Sequence, residues 1–254
     1  MTANHSTTRM GLNEDFALQL VRGNIYKHST INKFGRNTSV AAAGTEEIWD
    51  GSAAYSYPAT ALMTRISQTT DQEALRGATV EVQGLDANWA LSIQNATLNA
   101  SDTTTAVVLT TPLIRVFRMR ILSSVVADST VRVHNTAENQ DYAIISVGKQ
   151  QTQMAIYTVP ADHSAYVTNY YAFHNPTVGQ TFTSNPIELW ARDNANGYAP
   201  QLKHIVGLPE DGQFQYNFNP YYAFGEKTDI YLTSSPVAAA ADVSAGFDLI
   251  LVRD

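Results

Sequence analysis

Six histidines, at positions 5, 28, 134, 163, 174 and 204, are the first residues to consider for chemistry. No two of them have the HxH or HExxH spacing that sets two imidazoles on one metal ion. They read as surface or core residues. No GxSxG elbow, GxxxxGK[ST] loop or GxGxxG turn occurs, so serine hydrolase, P-loop and dinucleotide chemistry lack their mechanical parts. The chain has no cysteine, which removes disulfides, thiolate nucleophiles and thiolate metal sites. A glycosidase needs two acids flanking the scissile bond. Glu188, Asp193, Glu210 and Asp211 lie near Trp190 and Tyr198 in sequence, but loop carboxylates beside a core tryptophan are the plainer reading. No metal or cofactor is expected, and no enzymatic activity.

Binding residues are better represented. The stretch RDNANGYAP, residues 192–200, would stack a sugar ring on Tyr198 and bind its hydroxyls through amides and Asp193, with Trp190 just upstream. Asn-Gly is also the strongest short hairpin signal, so the same residues suit an ordinary turn. In LIRVFRMRI, strand alternation puts Arg118 and Arg120 on one face and Arg115 on the other. In an acidic chain that strip is a candidate subunit contact, in competition with simple surface ion pairs. Trp49, Tyr55 and Tyr57 cluster in EEIWDGSAAYSYPATA, with Phe34 upstream. Tyr and Trp are enriched at interfaces because they bury much area for little lost entropy, and these residues equally suit folding over the β domain that follows.

The elements that position these residues are almost all strands. Charged residues make up 15% of the 254, against about 25% in average soluble proteins, so the surface relies on Asn, Gln, Ser and Thr. The net charge of −7 argues against general nucleic-acid binding, which depends on clustered Lys and Arg. No apolar run approaches the roughly 20 residues that span a bilayer, and no leader pattern opens the chain, so synthesis in a cytoplasm without export is expected and membrane partners are not. The sequons at Asn4, Asn37, Asn95 and Asn99 are what chance gives in a chain this rich in Asn, Ser and Thr.

Residues 1–10, MTANHSTTRM, are polar and small, and suit an arm held by a neighbouring subunit. In LNEDFALQLVRGN, Asn13 as N-cap, with Leu12, Phe16 and Leu20 a turn apart and Gly23 after the end, would make a short helix. Phe16, Leu18 and Leu20 would equally make one face of a strand. From about residue 60 the period is two: TVEVQGLD, AVVLTT, LIRVFRMRIL, TVRVHN and YAIISVG, then two strands around a turn at 160–163. QFQYNFNP sets Phe214, Tyr216 and Phe218 against a face of amides. ADVSAGFDLILVRD reads as a buried closing strand carrying Phe247, Leu249 and Leu251. The expected fold is all-β: an extended N-terminal arm (1–50) and two jelly-roll-like β-sandwich domains (51–148 and 149–254), with the boundary in the polar stretch 148–153.

STINKFGRNTSV followed by EEIWDGSAAYSYPATA resembles the N-terminal region of structural proteins of marine tailed bacteriophages, especially those infecting cyanobacteria and other oceanic bacteria. MAIYTVPADHSAYVTNYYA and EKTDIYLTSSPVAAAADVSAGFDLILVRD resemble the C-terminal region of the same group, and VEVQGLDANW in the middle also fits. The resemblance covers residues 29–60 and most of 149–254, and carries no catalytic residue with it. It implies a virion protein made in the bacterial host cytoplasm. The expected role is capsid decoration or cementing on the head shell, as a homotrimer in contact with the major capsid protein, with Phe34, Trp49, Tyr55, Tyr57, Arg118 and Arg120 at subunit contacts. Loss of residues 1–50 is expected to abolish particle binding and leave the sandwiches folded. A tail or head fibre binding a host glycan through Trp190, Asp193 and Tyr198 is the alternative.

Overall fold

A computed structural model describes residues 14–51, 53–175, 184–209, 212–237 and 239–254. After a one-and-a-half-turn helix, α1 (Phe16–Val21), come β1 (His28–Val40) and β2 (Glu46–Glu47). Six strands follow: β3 (Met63–Gln68), β4 (Thr79–Asp86), β5 (Leu91–Thr97), β6 (Val107–Ile121), β7 (Val131–His134) and β8 (Asp141–Ile145). The remainder holds β9 (Ile156–Thr158), β10 (His163–Asn175), β11 (Asn185–Asp193), β12 (Gln201–Leu208), β13 (Gln213–Phe224), β14 (Thr228–Ser234) and β15 (Ala241–Arg253). No helix among the described residues is long and apolar enough to cross a membrane.

The strands form three antiparallel sheets. One has the order β1-β15-β10-β13; a second has β12-β11-β14-β2, with β9 also on β14; the third has β5-β4-β6-β3-β7-β8. The first two face each other across a common core, with Tyr170, Phe247 and Leu249 on one side and Leu189, Ile230 and Leu232 on the other. This is a β-sandwich. The third sheet surrounds its own core, which includes Met63, Val82, Leu113, Met119 and Val133.

β15 is central, paired with β1 on one side and β10 on the other, and Val243, Ala245, Phe247, Leu249 and Leu251 alternate inward along it. The Val, Phe and Leu side chains among them each contribute about 1.5–3 kcal/mol when fully buried, so the reading of this segment as a core strand holds. The ambiguous N-terminal segment is helical, but starts later than expected. Asp15 stands at the N-cap position, and Gly23 ends the helix at φ +68°, its N–H bonded to the Leu20 carbonyl at 3.0 Å. Leu12 and Asn13 lie outside the described residues.

Three expectations need correction. Of the supposed arm, residues 1–13 lie outside the described residues, while 28–40 is a strand bonded along its length to β15 and residues 46–47 pair with β14. Gly35 makes this close approach feasible: a Cβ there would stand 2.1 Å from the Ile48 carbonyl oxygen and 2.4 Å from the Ala155 nitrogen. Deleting residues 1–50 would therefore strip a strand and the buried Ile48 and Trp49 from the fold. Second, the strands of residues 63–145 lie in one sheet, where two facing sheets are expected. Third, AVVLTT and LIRVFRMRIL are one strand, β6, which runs through Pro112; its pairing with β4 shifts register around Phe117 and Ile114. The polar stretch after β8 runs back along β6, Ile121 donating to Gln150 and Thr152 to Met119.

Candidate interaction surfaces

The charged and aromatic residues singled out in sequence fall into three places. The first is the seam between the six-stranded sheet and the sandwich. Arg115 of β6 is 2% exposed and donates to both carboxylate oxygens of Asp229 on β14, from Nε at 2.8 Å and Nη2 at 2.9 Å. Its Nη1 donates to the carbonyls of Pro58 and Ile114 at 2.7 and 2.8 Å. Asp229 also accepts from Thr158 Oγ1 at 2.6 Å and Asn194 Nδ2 at 2.9 Å. The guanidinium lies 5.0 Å from the Trp89 ring centre and 5.5 Å from that of Tyr57. Burial pulls the Arg115 pKa down, but hydrogen bonds to Asp229 and its charge outweigh burial and hold the guanidinium protonated. This network is satisfied and sealed from solvent, so it joins the two units and has no route to a substrate.

Trp49 and Tyr55 belong to the same interior. They are 3% and 6% exposed, their rings meet edge to face at 5.1 Å, and Tyr57 continues the row to Tyr231. Of the two readings of this cluster, folding over the adjoining β unit is the one realised, and Trp49 and Tyr55 have no surface left for a partner. Arg120 is exposed and paired to Glu81 at 2.8 Å, and Arg118 donates to the Asn32 carbonyl at 2.9 Å. Both act within the chain, as the ion-pair reading has it for Arg120. Phe34 is half-buried on β1, where it lines a surface cavity with Arg120, Lys149 and Gln150.

The second place is the loop at 192–200, which is a hairpin turn between β11 and β12. Asp193 accepts from the Asn196 N–H at 3.0 Å and its Nδ2 at 2.7 Å, and Gly197 has φ +67°. Tyr198 is 58% exposed beside a shallow cavity of about 250 Å³ with Asp193, Gln201 and Lys203. Trp190 is not there. Three residues apart on a strand, Trp190 and Asp193 point to opposite faces, and Trp190 packs toward the six-stranded sheet's core, donating to Glu188 at 2.8 Å. The carboxylates Glu188 and Asp193 are likewise on opposite faces, and Glu210 and Asp211 lie outside the described residues. Among the described residues, no group of three or more His, Asp or Glu is placed to hold a metal ion.

The third place was not singled out as a site. β12 and β13 are outer strands of the two sandwich sheets, and they meet where the His204 and Tyr216 ring centres are 4.4 Å apart. Leu202 and Ile205 on β12 are 44% and 50% exposed, Tyr216 and Tyr221 on β13 are 42% and 50% exposed, and β13 carries no charged side chain in twelve residues. Phe214, Tyr216 and Phe218 share the face that alternation predicts, and pack with His204 and Tyr170; Tyr170 Oη is hydrogen-bonded to His204 Nδ1. Outer strands are normally shielded by charge, proline or bulges. Here Lys203 and Pro220 give only partial shielding, and Gln213–Asn217 has none.

No protein-family model matches the chain, and no curated protein matches it. Three solved structures from infectious bursal disease virus are weakly similar. A mutant VP2 in derived T=1 particles and a second T=1 particle structure each share 12% identity over 89% of this chain and 70% of that one, with a TM-score of 0.27. A structure of the Gx strain of the virus shares 10% over 89% and 72%, with a TM-score of 0.28. Such scores are too low to establish a shared fold.

Proposed function

We propose that the chain is a structural protein of a virus particle, and more specifically a decoration or cement protein on the outer head shell of a tailed bacteriophage. It would act by burying surface across joints between major capsid subunits and between its own copies, as a homotrimer, with no reaction to catalyse. The observation that carries this reading is the outer β12–β13 region, where large apolar side chains stand on weakly charged strands that, among the described residues, are paired on one side only. A stable specific contact buries about 1,600 Å² in total, and edge strands add main-chain hydrogen bonds to that area. The resemblance of residues 29–60 and most of 149–254 to phage virion proteins supports the particle context.

The test is a double substitution, Leu202→Asp with Ile205→Lys, at two positions that are each about half exposed. The variant is expected to fold with an unchanged circular dichroism spectrum and to lose binding to particles lacking the protein. Undiminished binding would refute this use of the surface. A second reading, host-glycan binding by a fibre component, is favoured by the exposed Tyr198 ring beside Gln201 and Lys203. It predicts loss of sugar binding in Tyr198→Ala.

A further inference from the structure

The outer face of the four-stranded sheet has an unusual composition. Register sets its side chains in three rows across β1, β15, β10 and β13. The first row is Asn32, Asp248, Asn169 and Asn217. The second is Phe34, Gly246, Tyr171 and Gln215, and the third Arg36, Ser244, Phe173 and Gln213. No aliphatic side chain occurs in these rows. The nearest, Ile250, lies one inter-row step further along β15, lining a cavity with Phe16 and Leu20 of α1.

Gly246 shapes the middle of the face. A Cβ there would come within 2.5 Å of the Tyr171 hydroxyl and 2.7 Å of the carbon that bears it, so the phenol end of Tyr171 rests directly on the glycine backbone. Phe173 is 41% exposed, and its ring centre is 6.0 Å from that of Tyr171. Beside the rings is a surface cavity of about 550 Å³, bordered by Asn169, Gln213, Gln215 and Asp248. Asp248 accepts from Asn32 Nδ2 at 2.6 Å and Asn169 Nδ2 at 3.0 Å, which orients the Asn169 amide. Asn169 Oδ1 is then a buried acceptor with no hydrogen bond from the protein.

We propose that this face binds a neutral, hydroxyl-rich carbohydrate chain. A pyranose ring would lie on Tyr171 and Phe173, and the exposed Gln213 and Gln215 at the cavity's border would offer the paired donors and acceptors that its hydroxyls need. The charges favour a neutral sugar over an acidic one. Asp248 stands at the site, and the one cation in the rows, Arg36, is held by Asp242 at 2.6 and 2.9 Å. The inference stands independently of the shell assignment.

The test is titration calorimetry of the full chain with neutral hexaoses (malto-, cello-, laminari- and mannohexaose) and with an alginate hexamer as the acidic probe. At least one neutral hexaose is expected to bind, with affinity reduced about tenfold or more in Tyr171→Ala and in Phe173→Ala, and unchanged in Val147→Ala, an exposed position after β8 and away from these rows. Phe173 is sufficiently exposed that its variant tests the face even where Tyr171→Ala fails to fold. Absence of binding to all four neutral hexaoses, binding confined to alginate, or binding indifferent to Phe173→Ala would each overturn the proposal.

Discussion

Asp229→Ala removes one member of the buried pair at the seam and leaves the other stranded. Asp229 accepts four hydrogen bonds, two from Arg115 and one each from Thr158 and Asn194. In the variant, Arg115 keeps the Pro58 and Ile114 carbonyls, but its Nε and Nη2 lose their acceptor in a site where the side chain is 3% exposed. Removing one partner of a buried ion pair costs about 3–5 kcal/mol, most of it from the uncompensated charge. At about 2–4 °C per kcal/mol for a chain of this size, the thermal midpoint should fall by roughly 6–20 °C. Calorimetry and urea unfolding read this directly. Arg115→Met combined with Asp229→Ala removes the stranded charge as well, and should be less destabilised than Asp229→Ala alone. A loss below about 1 kcal/mol in the single variant, or a double variant as unstable as the single, would refute the claim that a paired buried charge pins the two units together.

Burial raises the Asp50 carboxyl to about 6, against hydrogen bonds from Ser146 and Gln153 that pull it down. A carboxyl raised on folding stabilises the fold when protonated, an effect complete below the unfolded value near 4 and lost as pH rises through 6. Asp50→Asn should therefore be more stable than the parent by about 1–2 kcal/mol at pH 8, after allowance for partial exposure, with the difference closing below pH 4; a difference independent of pH in urea titrations would contradict this. Gly35→Ala drives a Cβ into backbone atoms on both sides and should cost about 3 kcal/mol, with faster amide exchange along β1; an unchanged midpoint would show that β1 is not held so closely.

Strands whose buried face is made of large apolar residues were legible in the sequence. The alternation in β13 and the inward row of β15 state their faces directly. β1 was not legible, because three of its four buried positions, Lys33, Gly35 and Asn37, are a cation, a residue without a side chain and an amide, with only Val40 apolar. Lys33 is kept inside by a hydrogen bond to the Phe117 carbonyl, and burial pulls its amine well below the usual lysine range, with Arg118 adding to the effect. Nothing in residues 28–40 marks them as interior until the partner strand is known. Strand period already separates Trp190 from Asp193, since an odd offset crosses the sheet, so the three-residue glycan grouping could have been set aside from sequence. The rows across the four-stranded sheet could not, because they join residues more than two hundred positions apart through a register that only the folded chain displays.

The measurement that tests the account most directly is a cryo-electron microscopy reconstruction of intact virions with icosahedral averaging. The account predicts density at symmetric positions on the outer shell that accommodates a two-sheet sandwich joined to a six-stranded unit, with the β12–β13 region against a neighbouring subunit. Particles that carry the protein only on the tail, or purified particles that lack it, would contradict the assignment to the shell.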